Sequence, residues 1–308
     1  MKEPLIVISG PTGVGKTDIS VEVAEKFNGE VIIADSVQIY RFLDIGSGKP
    51  TIEERKRVPH HLIDIIDPSE EFDAFQFAKL AREKIKSILK RGKIPIVCGG
   101  CGFYIRGLLR GEFNRPGRNE EVRSRIRARA EKEGWDTLFK ELKKVDPETA
   151  SRIHPHDHIR IVRALEVYYL TGKPLSSFRP YAKEPFYNVL FIALIRPREE
   201  LYARINNRVE KMWKEGWVEE VKEIINKGFS PDSPGLKSIG YEDVVKFIQG
   251  KVTEEEAKEM IKKKTRNYAK RQISWLKKEN PCWIQLEEEK DKMERMVKDF
   301  IEQLNAVR

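Results

Sequence analysis

Cysteine is scarce in this chain. The only thiols in 308 residues are Cys98, Cys101 and Cys282. Three cysteines make no disulfide framework, and Cys98-x-x-Cys101 lacks the second pair that a four-ligand zinc site requires. Histidine is also rare. Three of the five fall in His154-Pro155-His156-Asp157-His158, where the proline breaks any i,i+4 ligand face. A helix-opening turn is expected there rather than a metal site. No apolar run approaches the ~20 residues of a membrane span. The N-terminus runs into a strand-like segment with no signal-peptide pattern. Internal repeats and low-complexity tracts are absent. Together these absences point to a reducing compartment, the cytoplasm, with no membrane partner; a monomer is expected.

Charge, by contrast, is abundant. Lys and Arg number 58 against 49 Asp and Glu, a net +9, and charged residues make up 35% of the chain. That exceeds the usual quarter and fits an ion-pair-rich surface of thermophilic type. The positive excess suits a polyanionic partner. Forty per cent apolar residues suffice for a core and exclude wholesale disorder.

Five apolar runs read as buried parallel strands: residues 5–8, 31–34, 61–66, 94–98 and 189–194. Helical patterns over 17–27, 74–91 and 104–109 separate them. This alternation predicts an α/β fold with a parallel sheet. From 119 to about 171 the chain reads all-helical. Residues 115–185 are therefore expected to form a helical insertion in a core built from 1–114 and 186–308. The stretch 197–308 also reads as helical, interrupted by a Gly/Pro/Ser segment at 228–240.

Gly10-Pro11-Thr12-Gly13-Val14-Gly15-Lys16-Thr17 matches G-x-x-x-x-G-K-[ST] between a predicted strand and a predicted helix. Glycines let backbone N–H groups turn toward an anion, and the helix N-terminus adds its dipole. Lys16 reaches the outer phosphate, and Thr17 offers a hydroxyl to Mg²⁺. The loop predicts binding of a di- or triphosphate, ATP included, without saying whether phosphate is transferred or leaves. Ligands of such sheets sit at the carboxyl ends of strands. Asp35, after the second strand, is a candidate proton acceptor or, equally, a turn carboxylate. Gly99-Gly100-Cys101-Gly102 follows the fourth, and residues 44–50 form another Gly/Lys turn suited to anions.

Residues 262–278 hold eight basic residues and no acidic one, with Lys263, Arg266, Lys270 and Lys277 on one face. Arg123, Arg125, Arg127 and Arg129, with Arg160 and Arg163, extend the positive surface. Contact with nucleic acid is expected there.

In their order, these blocks resemble the bacterial tRNA isopentenyltransferase (tRNA dimethylallyltransferase) family. The resemblance rests on 10–17, Asp35-Ser36-Val37-Gln38-Ile39-Tyr40, 44–50, 59–64, 99–104, Arg160-Ile161-Val162-Arg163, Ser238-Ile239-Gly240-Tyr241 and Thr265-Arg266-Asn267-Tyr268-Ala269-Lys270-Arg271-Gln272. It spans nearly the whole chain. It implies a P-loop NTPase-like sheet flanked by helices, with an all-helical insertion domain. It also implies transfer of a dimethylallyl group from dimethylallyl diphosphate to N6 of adenosine 37, beside the anticodon of tRNAs reading U-initial codons. Asp35, Lys16 and Cys101 are then catalytic, and Thr17 holds Mg²⁺. The flipped adenosine meets Ser36, Val37 and Gln38, and Ile159 joins residues 160–163, Arg123, Arg266, Lys270, Arg271 and Gln272 in gripping the anticodon stem-loop. Three departures stand out: Cys101 replaces the usual Thr, His156-Asp157-His158-Ile159 replaces Asn-Asp-Pro-Gln, and Val37 replaces Arg or Met. Three rivals share parts of the pattern. They are a P-loop kinase, a prenyltransferase of free adenine nucleotides, and a non-catalytic RNA-binding protein.

Overall fold

A computed structural model describes residues 2–111, 117–178 and 182–306. Strands β1 (Pro4–Ser9), β2 (Gly29–Ile33), β3 (His60–His61), β4 (Ile94–Gly99), β5 (Asn188–Ile195) and β6 (Cys282–Gln285) form one sheet in the order β3-β2-β4-β1-β5-β6. Every pairing is parallel. β1 and β4 are almost wholly buried, which is why they read as continuous apolar runs rather than alternating ones.

The chain divides into two compact units, Met1–Leu109 with Pro185–Arg308, and Arg110–Glu184. The larger holds the sheet with α1 (Lys16–Lys26), α2 (Ile52–Arg57), α3 (Ala74–Lys90) and most of α4 (Gly102–Arg110). The smaller holds α5 (Glu120–Glu133), α6 (Trp135–Val145), α7 (Pro147–Arg152) and α8 (His158–Thr171). The larger unit resumes after β5 with α9 (Arg198–Lys214), α10 (Trp217–Asn226), α11 (Tyr241–Ile248), α12 (Glu254–Leu276) and α13 (Lys290–Ala306). Each unit has its own apolar core: Ile6, Ile8, Ile96 and Leu194 in the larger, Leu138, Leu142, Ile161 and Leu165 in the smaller. The boundary expected between residues 114 and 115 lies outside the described residues.

Two strand expectations need correction. The run 61–66 yields only the two-residue β3, because Leu62 (φ 61°) and Asp64 (φ 55°) adopt left-handed backbone that no pleated strand continues. β6 sits in a stretch expected to be helical. It is four residues long, follows Asn280-Pro281, and joins the sheet edge beside β5.

The histidine cluster forms the expected helix-opening turn. Asp157 accepts the Arg160 N–H and caps α8, and His158 stacks on Trp135 with ring centroids 3.9 Å apart. Among the described residues no three His, Cys, Asp or Glu side chains are grouped to hold a metal, and no helix is long and apolar enough to cross a membrane.

Candidate active site

The loop from Gly10 to Thr17 joins β1 to α1. Gly15 caps α1 in the left-handed region (φ 105°) with no side-chain cap, so the first-turn amides remain available to an anion. Lys16 Nζ folds back to donate to the carbonyls of Gly10 (3.1 Å) and Pro11 (2.9 Å). Burial lowers its pKa to about 8, although Cys98 and Asp35 pull the other way. Gly10, Pro11 and Val14 are buried beneath the loop, while Thr12, Gly13, Gly15, Lys16 and Thr17 line a cleft of about 580 Å³.

Residues far away in sequence brace this loop. Arg204 Nε donates to the Gly13 carbonyl, and Arg196 Nε to that of Val14, both at 2.9 Å. Gln272 accepts the Thr12 N–H (2.8 Å) and donates to the Gly100 carbonyl (3.0 Å). A Cβ at position 100 would overlap the Gln272 amide, so a side chain there would push that amide off its partners. The expectation that Gln272 grips RNA is corrected: the side chain is buried and both ends of its amide are used.

Asp35 follows β2. Its Oδ1 accepts the N–H groups of Val37 (2.8 Å) and Gln38 (3.3 Å), so it is indeed a turn carboxylate, yet it also lines the cleft. Gln38 Nε2 donates to the carbonyls of Ser47 (3.3 Å) and Gly48 (3.1 Å). The 44–50 turn is not an open anion site. Lys49 is held by Asp44, Asp64 and the Tyr40 carbonyl, leaving its charge paired. Glu220, on α10, anchors this turn by accepting the N–H groups of Asp44, Ile45 and Gly46 and the Tyr241 hydroxyl. Burial pushes the Cys101 thiol up to about 12, which favours the protonated form near neutrality, and a thiol is a weak hydrogen-bond donor.

Sequence reasoning missed α9. Arg204, Asn207, Arg208 and Lys211 recur at three, four and seven and line the phosphate-loop cleft together. That periodicity was the available signal. Arg208 is half-buried, and desolvation lowers its pKa while Asp35 opposes the shift. It marks the junction between the cleft and an apolar pocket of about 300 Å³. Thr12, Asp35, Ser47 and Arg208 line both cavities; Ser36, Val37, Met212, Trp217 and Ile239 line the pocket, with Lys237, Ser238, Thr265 and Tyr268 on its more polar side.

The remaining site candidates lie elsewhere. In the smaller unit, Arg123 and Arg163 are bound to Glu166, a carboxylate that burial would raise but their bonds lower. Ile161 and Val162 are core residues, so they offer RNA no side chain. Ile159 is 83% exposed, and Arg160 is exposed beside it. Arg125, Arg127 and Arg129 are paired with Glu121, Glu120 and Glu133 respectively.

On α12, acid reaches the basic stretch both from its own first turns, where Glu259 pairs with Lys262, and from neighbouring helices. Lys262 pairs with Glu210, Lys264 with Asp243, and Arg266 donates to Asn206 Oδ1. Lys263, Lys270, Arg271 and Lys277 remain exposed.

Comparison with known proteins converges on one family. The family model described as IPP transferase matches residues 38–279. A curated tRNA dimethylallyltransferase from Alkaliphilus oremlandii is 43% identical over 289 residues, covering 93% of this chain and 92% of its own. The crystal structure of a tRNA isopentenylpyrophosphate transferase from Bacillus halodurans superimposes with a TM-score of 0.73 at 38% identity, covering 99% of both chains. A eukaryotic dimethylallyltransferase acting on tRNA gives a TM-score of 0.81 at 32% identity, covering 98% of this chain and 80% of its own.

Proposed function

Because the chain belongs to the IPP transferase family, we propose that it transfers the dimethylallyl group of dimethylallyl diphosphate to N6 of adenosine 37 in tRNAs reading U-initial codons. The observation that carries this reading is the junction at Asp35 and Arg208. There a polar cleft built on a phosphate loop opens into an apolar pocket. That pairing matches a donor with a diphosphate head and a short apolar tail.

In this reading the diphosphate lies along the loop amides, Lys16 and Arg208, which stabilise the charge developing on the leaving oxygen. Asp35, fixed through Oδ1, orients the adenine amine and takes its proton as N6 attacks C1. The N–C1 bond forms, the C1–O bond breaks, and diphosphate leaves with the electron pair. Ser36 faces the adenine, which has left the anticodon stack, while Gln38 holds the 47–48 backbone beside it.

Mg²⁺ would be held here by Thr17, with Asp18 and Glu54 beside it, since these residues line the cleft with oxygen donors of the kind the cation takes. When bound, it would neutralise phosphate charge. The protein's grip on the anticodon stem-loop falls to the exposed cations of α12 and to Ile159 and Arg160. We expect the monomer to suffice.

The test is an assay with labelled dimethylallyl diphosphate, Mg²⁺ and unmodified tRNA, with AMP as competing acceptor and ATP hydrolysis followed in parallel. Label in tRNA, as N6-(dimethylallyl)adenosine, is the expected result. Label only in AMP identifies a nucleotide prenyltransferase, and ATP turnover alone identifies a kinase.

A further inference from the structure

Trp217 opens α10 and is 2% exposed, yet it lines the apolar pocket. Its surroundings pack closely on the ring. A Cβ at Gly46 would overlap the indole at Nε1, and one at Gly240 would overlap its far edge, so the ring lies clamped between two glycine backbones. Tyr241 packs edge-on against it, with centroids 5.4 Å apart, and is itself tied to Glu220 by a 2.7 Å hydrogen bond. Glu220 in turn holds the amides of residues 44–46, which closes the clamp. Nε1 has no hydrogen-bond partner among the described residues, consistent with a dry wall.

The pocket also has a direction. The 46–48 segment runs over Arg208 and Met212 at Gly48 and over Trp217 at Gly46. Arg208 lines both cavities and Trp217 only the pocket, so the indole stands on the pocket's side of the junction with the phosphate cleft. Met212 is a flexible wall that can yield, whereas a clamped indole cannot.

We propose that Trp217 is the stop that limits the donor's prenyl chain to the dimethylallyl length, making it a specificity-determining residue. This rests on placing the donor's tail in the apolar pocket. Dimethylallyl and geranyl diphosphates share the head group and the reacting carbon, so their discrimination isolates the far end of the pocket. Removing the indole lengthens the pocket without touching Lys16, Asp35 or Arg208.

The experiment compares kcat/KM for dimethylallyl and geranyl diphosphates in wild type, Trp217→Leu and Trp217→Ala, with tRNA as acceptor. The geranyl-to-dimethylallyl ratio should rise by ~10-fold or more in the variants, the scale set by added methylenes in an apolar pocket. A purely structural role would lower both activities together and leave the ratio unchanged, which overturns the proposal. A rise in tRNA KM with an unchanged donor ratio also overturns it, because the pocket would then hold the base. Where the variants do not fold, inhibition of wild type decides. Geranyl diphosphate should compete ~10-fold or more weakly than dimethylallyl diphosphate, and equal competition contradicts the stop. If wild type transfers no dimethylallyl group to tRNA, the donor reading itself has failed, and that outcome is distinct from the others.

Discussion

Lys16 is pulled between two environments: burial lowers its pKa to about 8, while a bound diphosphate would favour the charged form. The sign follows directly. Binding requires the proton, the free enzyme loses it as pH rises through about 8, and affinity for diphosphate must fall above that point. Calorimetric titration of inorganic diphosphate from pH 6.5 to 9.5 should show this break in wild type and not in Lys16→Met. An identical profile in both proteins would assign the break to the ligand. Gln272 makes a second residue-scale prediction. Gln272→Ala strands the Thr12 N–H and the Gly100 carbonyl at a cost of ~1–3 kcal/mol. Its Tm should drop by about 2–4 °C per kcal/mol, with diphosphate affinity weakened alongside. An unchanged melt and unchanged affinity would show that the loop needs no staple. The phosphate loop was legible because its eight residues are consecutive. Gln272, Arg204 and Arg208 were misread or missed because they reach the same loop from α12 and α9, and only the folded chain brings them there.

At the level of elements, continuous apolar runs revealed β1, β2, β4 and β5, since the first three are buried on both faces and β5 is buried over most of its second half. β3 and β6 are short edge strands with little apolar surface to register, and Leu62 and Asp64 end β3 through backbone conformation that composition does not display. α12 carries a different lesson. The one-signed stretch 262–278 suggested an unbroken positive face, but Glu259 of the same helix, Glu210 from α9 and Asp243 from α11 neutralise part of it. Lys263, Lys270 and Arg271 are exposed. Replacing these three with Gln should weaken tRNA binding and reduce the log–log salt slope by roughly 2, at about 0.7 per single-strand phosphate contact. The same change at Lys262 and Lys264 should leave the slope nearly unaltered. Equal slopes in both triple and double variants would remove α12 from the interface.

At the scale of the molecule, the smaller unit is inserted between α4 and β5, and the Phe186 N–H donates to the Leu109 carbonyl at 2.8 Å where the chain leaves and returns. Each unit has a separate apolar core. Excising residues 110–184 and closing the gap with a short Gly-Ser loop should therefore leave a folded protein. Its diphosphate affinity should stay within about 3-fold, under 1 kcal/mol, while tRNA binding collapses. Unaltered tRNA binding would confine recognition to the larger unit. The insertion was visible as a long helical stretch between two strand-like runs. Which of its cations are free was not visible, because Glu166 lies over forty residues from Arg123 in sequence yet binds it in the fold.

The central claim is that Asp35 takes the proton from the adenine amine while the phosphate loop holds the leaving group. Single-turnover transfer by Asp35→Asn tests it most directly, with donor and tRNA affinities measured on the same preparation. Transfer should slow by ~100-fold to 10,000-fold, the range for losing a general base, with both affinities nearly unchanged. Transfer at the wild-type rate would contradict the account.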